Sequence, residues 1–305
     1  MPDSTNHLFC FGYGYTCDYL GDQLQEAGGW RISGTTRDRE KRNLMRARGI
    51  KAWLFDYHKP LGDPAAFLEG VTHLLISTPP DDEGDPAFHI HVNDILELPS
   101  LQWVGYLSST SVYGDRAGSI VDESVTAEPR SKRGSRRALA EAQWISLFHN
   151  NKLPVHIFRL AGIYGPDRSA IDTIRAGLAR RVDKPGQIFS RIHVEDIVAV
   201  LLASMRAPNP GAIYNVADDL PAPSHEVIAY ACELLGKPVP PLIPYDDADL
   251  TPMARSFYSD NKRVSNDKIK NELGVTLKYP DYKTGLRACL EAEKTAQPPA
   301  SEAAG

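Results

Sequence analysis

The sequence predicts an α/β fold, a doubly wound parallel sheet extended by a smaller C-terminal lobe. Three observations predict it. Short apolar runs alternate with stretches of 3.6-residue periodicity through the first half of the chain. The runs are apolar at successive positions rather than at every second one, as expected of strands covered on both faces. A glycine-rich turn joins the first run to the first periodic stretch.

In chain order, the apolar runs at 8–11, 30–34, 52–55, 73–77, 103–107 and 155–160 read as strands. Tyr19, Leu20, Leu24 and Ala27 form one helical stripe. Leu139, Ala142, Trp144, Ile145 and Phe148 form a broader one. After Gly165 the pattern loosens. Residues 169–182 read as a helix and 185–189 as a loop. A strand at 192–194, a helix at 197–205 and a strand at 212–216 follow. Beyond Asp218 the chain is proline-rich, with helices expected at 225–235, 266–273 and 282–292. The division is a nucleotide domain of residues 1–165 plus 191–217 and a second lobe of 166–190 plus 218–294. Residues 295–305 read as a disordered tail, being small, polar and rich in Pro and Ala.

Composition narrows the function. Of 305 residues, 42% are hydrophobic and 24% charged, which excludes wholesale disorder. A net charge of -5 argues against nucleic acid as the main partner. The apolar stretch at 197–205 is too short to span a bilayer, and residues 1–7 carry no secretory pattern. Cys10, Cys17, Cys232 and Cys289 form no C-x-x-C pair and no metal-ligand spacing. No metal is therefore expected, and a reduced, cytoplasmic compartment is.

The first strand runs straight into Gly12-Tyr13-Gly14-Tyr15-Thr16-Cys17 and an amphipathic helix, the setting of a dinucleotide fingerprint. Gly12 permits the tight turn, and Gly14 lets a pyrophosphate approach the backbone at the helix N-terminus. Cys17 replaces the third glycine. A carboxylate is expected at the end of the second strand when the ribose carries a free 2′-hydroxyl. Thr35-Thr36-Arg37 stands there instead, with Arg39, Lys41 and Arg42 beyond. A guanidinium suits a 2′-phosphate. NADP is therefore favoured, with NAD as the alternative, although Arg37–Arg42 also reads as the solvated start of a helix.

With these motifs in place, the chain resembles the extended and atypical short-chain dehydrogenase/reductases of the NAD-dependent epimerase/dehydratase type. The likeness rests on Phe9 to Cys17, Leu54-Phe55-Asp56, Leu107 to Gly114 (LSSTSVYG), Arg159 to Pro166 (RLAGIYGP), Arg191 to Asp196 (RIHVED) and Tyr214 to Asp219 (YNVADD), in the family's order. It implies a Rossmann-like sheet with a C-terminal substrate lobe and a cleft between them. It places Ser109 at the catalytic Ser/Thr position and Asp56 at an adenine-contacting one. Ser77, Thr78 and Pro79 would lie along the cofactor, with Ala161 to Tyr164 near the nicotinamide. His193 and Asp196 read as structural residues at a helix start that help join the lobes. His89 and His91 are not read as ligands.

The family's Tyr-x-x-x-Lys pair falls on Arg133 and Arg137. A guanidinium stays protonated and cannot act as the base. Arg137 could hold the ribose, and Arg133 an anionic group on the substrate. Tyr113 and Tyr164 become candidate proton donors. Lobe residues Arg175, Arg255 and Tyr258 could meet an anionic ligand. The resemblance implies a small-molecule substrate, a sugar nucleotide or another polar carbonyl compound, and leaves a homodimer open. The leading expectation is an NADP(H)-dependent oxidoreductase or epimerase. A non-catalytic NADP(H) sensor and a structural protein that binds no nucleotide are the alternatives.

Overall fold

The computed structural model describes residues 6–82 and 84–296. In chain order the elements are β1 (Asn6–Phe11), α1 (Tyr15–Ala27), β2 (Trp30–Thr36), α2 (Arg39–Ala47), β3 (Lys51–Leu54), α3 (Pro64–Phe67), β4 (His73–Ile76), α4 (Pro86–Leu96) and β5 (Trp103–Ser109). A short 3-10 turn, Thr110–Tyr113, leads to β6 (Ile120–Val121), α5 (Lys132–Asn151), β7 (Val155–Leu160) and β8 (Gly162–Tyr164). Then come α6 (Ala170–Arg175), β9 (Arg181–Asp183), β10 (Arg191–His193), α7 (Val194–Arg206) and β11 (Ile213–Val216). The chain closes with α8 (Ser224–Leu234), β12 (Leu242–Pro244), α9 (Pro252–Phe257), β13 (Arg263–Val264), α10 (Asp267–Asn271) and α11 (Tyr282–Ala296).

Seven strands form one parallel sheet in the order β11-β7-β5-β4-β1-β2-β3. The order reverses at β1, so a crevice opens beyond the carboxyl ends of β1 and β4, the usual ligand position in such sheets. Both faces are covered. Leu20 and Leu24 of α1 pack with Ile197 and Leu201 of α7 on one side. Trp144 and Leu147 of α5 pack with Phe9 and Ile95 on the other. A separate apolar cluster joins α6, α8 and α11 through Ile171, Ile174, Ile228, Ala231 and Leu286.

Local chemistry sets the element ends. Asp38 accepts the Lys41 N–H and caps α2. Asp85 accepts the N–H groups of Ala87 and Phe88 at the start of α4. Ser131 caps α5 at the Gly134 N–H, and Lys152 in the left-handed region ends it. His193 caps α7 by accepting from Glu195 N–H.

Two expectations need correction. Residues 169–182 are not one helix: α6 ends at Arg175, and Gly177, with φ +69°, turns the chain before β9. The short segment that puts His89 and His91 on opposite sides is helix α4, with His91 buried against Asp94 and His89 exposed, so no correction is needed there. On α5, Leu139 is 56% exposed, and the inward face is Ala140, Glu141, Trp144 and Leu147. Glu141 faces inward because Arg159 neutralises it, which shifts the apparent apolar stripe. Of the expected tail, residues 295 and 296 belong to α11, and 297–305 lie outside the described residues.

Among the described residues, no helix is long and apolar enough to cross a membrane. No group of three His, Cys, Asp or Glu among them could hold a metal ion. The four cysteines are buried thiols.

Candidate active site

The carboxyl ends of the central strands open onto a cavity of about 1360 Å³. Its first wall is the glycine turn. The Gly12 N–H donates to Thr35 Oγ1 (2.9 Å) and the Tyr13 N–H to Thr35 O (2.6 Å), which ties the turn to the end of β2. Gly12 has φ +82°, and a Cβ there would stand 2.9 Å from Thr78 N, so no other residue fits. Gly14 differs: it is extended, and a Cβ would meet nothing closer than Gly12 O at 3.9 Å. No side chain caps α1. Its first-turn N–H groups, beside the lining residues Gly14, Tyr15 and Thr16, have the open space that a diphosphate needs. The residues present therefore fit a dinucleotide here.

The other expected cofactor residues divide. Ser77 and Pro79 line the cavity after β4. Thr78 presses on Gly12 from behind, and its hydroxyl is buried without a partner among the described residues. Cys17 is fully buried and donates its thiol to Gly12 O (3.5 Å), packing the turn from below. Arg37 is exposed just after β2. Asp56, half-buried after β3, accepts the His58 N–H (2.9 Å). Neither Arg37 nor Asp56 borders the cavity among the described residues.

The second wall begins where β5 ends. Ser109 lines the cavity while its Oγ accepts the Ser111 N–H (3.2 Å), capping the 3-10 turn. That bond leaves its proton available to donate. Ser108 and Ser111 also line the cavity, with buried hydroxyls that have no partner among the described residues. From α5, Arg137 donates to Leu107 O and lies 3.4 Å from Tyr106 OH, so β5 fixes its guanidinium. Arg133, one helical turn earlier, stacks 4.1 Å over the Phe257 ring. Burial and the Arg137 charge lower its pKa. Helix α5 contains no tyrosine.

The two candidate tyrosines are both engaged. Tyr113 is fully buried outside the cavity wall; its hydroxyl donates to Asn215 Oδ1 (2.7 Å) and its ring lies under Arg159. Arg159 in turn makes a bidentate, buried pair with Glu141 at 2.8 to 3.1 Å. This network fixes the turn after Ser109 rather than offering it a proton. Tyr164 borders the cavity, but its hydroxyl donates to Asp281 O (3.3 Å) on the far side. Burial raises the pKa of both phenols.

His193 and Asp196 lie below the site. His193 is fully buried, and Asp196 accepts the N–H groups of Lys278 (2.7 Å) and Tyr279 (3.0 Å). Among the lobe candidates, Tyr258 lines the cavity, whereas Arg175 pairs with Glu293 elsewhere and Arg255 stacks on Tyr245. Sequence reasoning missed Arg168, Arg180, Arg191 and Lys262, which all border the cavity. Only Arg191 had a signal, its place in a recognised motif; the others sit in loops without periodicity.

The fold and parts of the sequence recur in known proteins. The chain is 28% identical to the protein YeeZ of Escherichia coli over 271 residues, 84% of this chain and 90% of that one. A functionally unknown conserved protein from Silicibacter pomeroyi is 52% identical, with a TM-score of 0.87 over 94% of this chain and 99% of its own. A UDP-glucuronic acid 4-epimerase from Bacillus cereus, solved with UDP-glucuronic acid and NAD, shares the fold at 15% identity. Its TM-score is 0.77 over 95% of this chain and 100% of its own. Residues 12–217 match the model of the NAD dependent epimerase/dehydratase family. The chain belongs to that family.

Proposed function

We propose that the protein is an NADP(H)-dependent oxidoreductase of this family, acting on a polar small molecule that carries a carbonyl or secondary alcohol. The observation that carries the reading is the uncapped start of α1 beside Gly14, opening onto the cavity that Ser109 also lines. Gly14, Tyr15 and Thr16 hold the diphosphate, and Ser77 and Pro79 flank the middle of the cofactor. Arg37 meets a 2′-phosphate at the rim, which favours NADP(H) over NAD(H). When bound, the nicotinamide supplies or accepts a hydride. Ser109 donates its hydroxyl proton to the substrate oxygen and orients it. Arg137, held by Leu107 O, contacts the ribose.

Redox chemistry is favoured over dehydration by the carboxylates available. Asp249 and Asp260 are those bordering the cavity among the described residues. Asp260 lies 3.5 Å from Lys262, and Asp249 is exposed beside Arg180. Neither has the buried, unpaired setting of a general base: Asp260 is paired, and Asp249 is solvent-exposed. The Bacillus cereus neighbour's UDP-glucuronic acid supports a sugar nucleotide as one substrate class to assay first.

A second reading, a sensor that binds NADP(H) without turnover, is favoured by the engaged hydroxyls of Tyr113 and Tyr164 and by the arginines on α5. Loss of NADPH absorbance is the deciding assay, run with sugar nucleotides and simple carbonyl acids. Turnover that falls at least about a hundredfold in Ser109→Ala supports the enzyme. Tight NADPH binding with no turnover on any compound supports the sensor.

A further inference from the structure

We propose that the half of the cavity facing Ser109 contains an oxyanion site, walled by Arg133, Arg191 and Lys262, that takes a carboxylate or phosphate group of the substrate. The inference deepens the oxidoreductase reading and rests on it only for what happens after binding.

The three cations come from distant parts of the chain: Lys262 ends the segment 257–262, Arg133 packs on its Phe257, and Arg191 reaches it through Phe189. Arg133 stacks on Phe257. Arg191 donates from Nη1 to Phe189 O and Ala222 O, both at 2.9 Å, and the Phe189 ring lies 5.2 Å from that of Tyr258. Lys262 donates to Gly114 O (2.8 Å), at the end of the turn that Ser109 caps. Arg137, one helical turn after Arg133, is fixed at Leu107 O on the other side of Ser109. The cations thus flank the Ser109 turn, and all three line the cavity.

Their charge is poorly compensated within the protein. Among the described residues Arg133 and Arg191 form no ion pair; every ion pair at this wall involves Arg180 or Lys262. Lys262, with a side chain only 10% exposed, has Asp260 at 3.5 Å and Asp115 farther off, and Asp260 is also the carboxylate that acts on Arg133. Asp218 is the principal carboxyl facing Arg191; burial pushes its pKa up, against the pull of Arg191, and the two form no ion pair among the described residues. Burial also lowers the pKa of each of the three cations, the signature of positive charge without enough negative charge nearby. Arg191 and Lys262, both strongly desolvated, are destabilising to bury unless something pairs with them, whereas Arg133 is exposed.

Two buried donors point the same way. Among the described residues the hydroxyls of Ser108 and Ser111 have no partner; both residues border this cavity and are 4% and 8% exposed. A carboxylate or phosphate is the ligand class that hydroxyl and cationic donors of this kind recognise. The cofactor's diphosphate does not account for these groups. It belongs at β1, and β5 stands two strands away, about 10 Å at ordinary strand spacing.

Calorimetric titration of the NADPH-loaded protein with sodium malonate, and separately with sodium phosphate, tests the site, with sodium chloride at equal ionic strength as the reference. The expected result is saturable binding of at least one probe, weakened about tenfold or more in both Arg133→Met and Lys262→Met. Malonate alone assigns a carboxylate substrate, and phosphate alone a phosphate ester. Arg133 is at the surface, so Arg133→Met reads the site even if Lys262→Met fails to fold. Chloride-like behaviour of both probes, or binding that Arg133→Met leaves unchanged, overturns the inference. If NADPH does not bind, the oxidoreductase reading fails, and the same titrations on the cofactor-free protein still decide the oxyanion site.

Discussion

The two halves of the cavity are built from different materials. At the glycine turn the working groups are backbone: a positive φ at Gly12, open space at Gly14 and the N–H groups at the start of α1. Around Ser109 they are side chains, chiefly cations from α5, β10 and the loop before β13. A backbone cradle is a local property and recognises a constant ligand. A side-chain wall is assembled across the whole fold, and in the proposed reading it is what selects the substrate.

The largest predicted effect concerns the floor beneath both halves. His7, His73, His156 and His193 are buried, and burial lowers each pKa to about 4. Bonding fixes His156 as neutral, because its Nε2 accepts the Asn209 N–H (3.0 Å). Between about 4 and 6.5 the unfolded chain takes up protons that the native state refuses. Stability from these groups is therefore complete above pH 6.5 and is lost as pH falls. At pH 5.5 each imidazole costs about 1.4 kcal/mol, an upper value. Thermal unfolding followed from pH 7 to pH 5 should show a steep fall; a flat profile contradicts the assignment.

Next in size is the support of the side-chain half. Glu141→Ala leaves Arg159 buried and unpaired and should cost about 3–5 kcal/mol in denaturant unfolding. A loss below 1 kcal/mol would mean that the pair does not hold the turn after Ser109. Within the backbone half, Gly14→Ala puts a methyl where the diphosphate belongs but in empty space otherwise. It should weaken NADPH binding about a hundredfold while leaving the melting midpoint nearly unchanged. Gly12→Ala should lower both, because its Cβ meets Thr78 N. The smallest effect is at the rim. Arg37→Ala should weaken NADPH about tenfold and leave NADH unaffected; equal losses would remove the 2′-phosphate assignment.

The same contrast explains what could be read from the sequence. The runs at 8–11, 30–34, 52–55, 73–77, 103–107 and 155–160 all appear as strands of the seven-stranded sheet, because doubly covered strands are continuously apolar. The turn at Gly12 and Gly14 carries its chemistry in neighbouring residues. Helix α5 misled in phase, since the buried Glu141 interrupts the apolar face and its partner Arg159 lies on another element. Lys262 left no trace, because its place depends on the carbonyl of Gly114, 148 positions away. Tyr113 looked available in its motif, whereas its hydroxyl is committed to Asn215, 102 positions away.

The most direct test of the central claim is calorimetric titration of NADPH and NADH into the wild-type protein and Gly14→Ala. The account predicts saturable heat with NADPH, weaker binding of NADH, and loss of the NADPH signal in a Gly14→Ala variant that remains folded. No heat with either coenzyme, or NADPH binding that Gly14→Ala leaves intact, would contradict it.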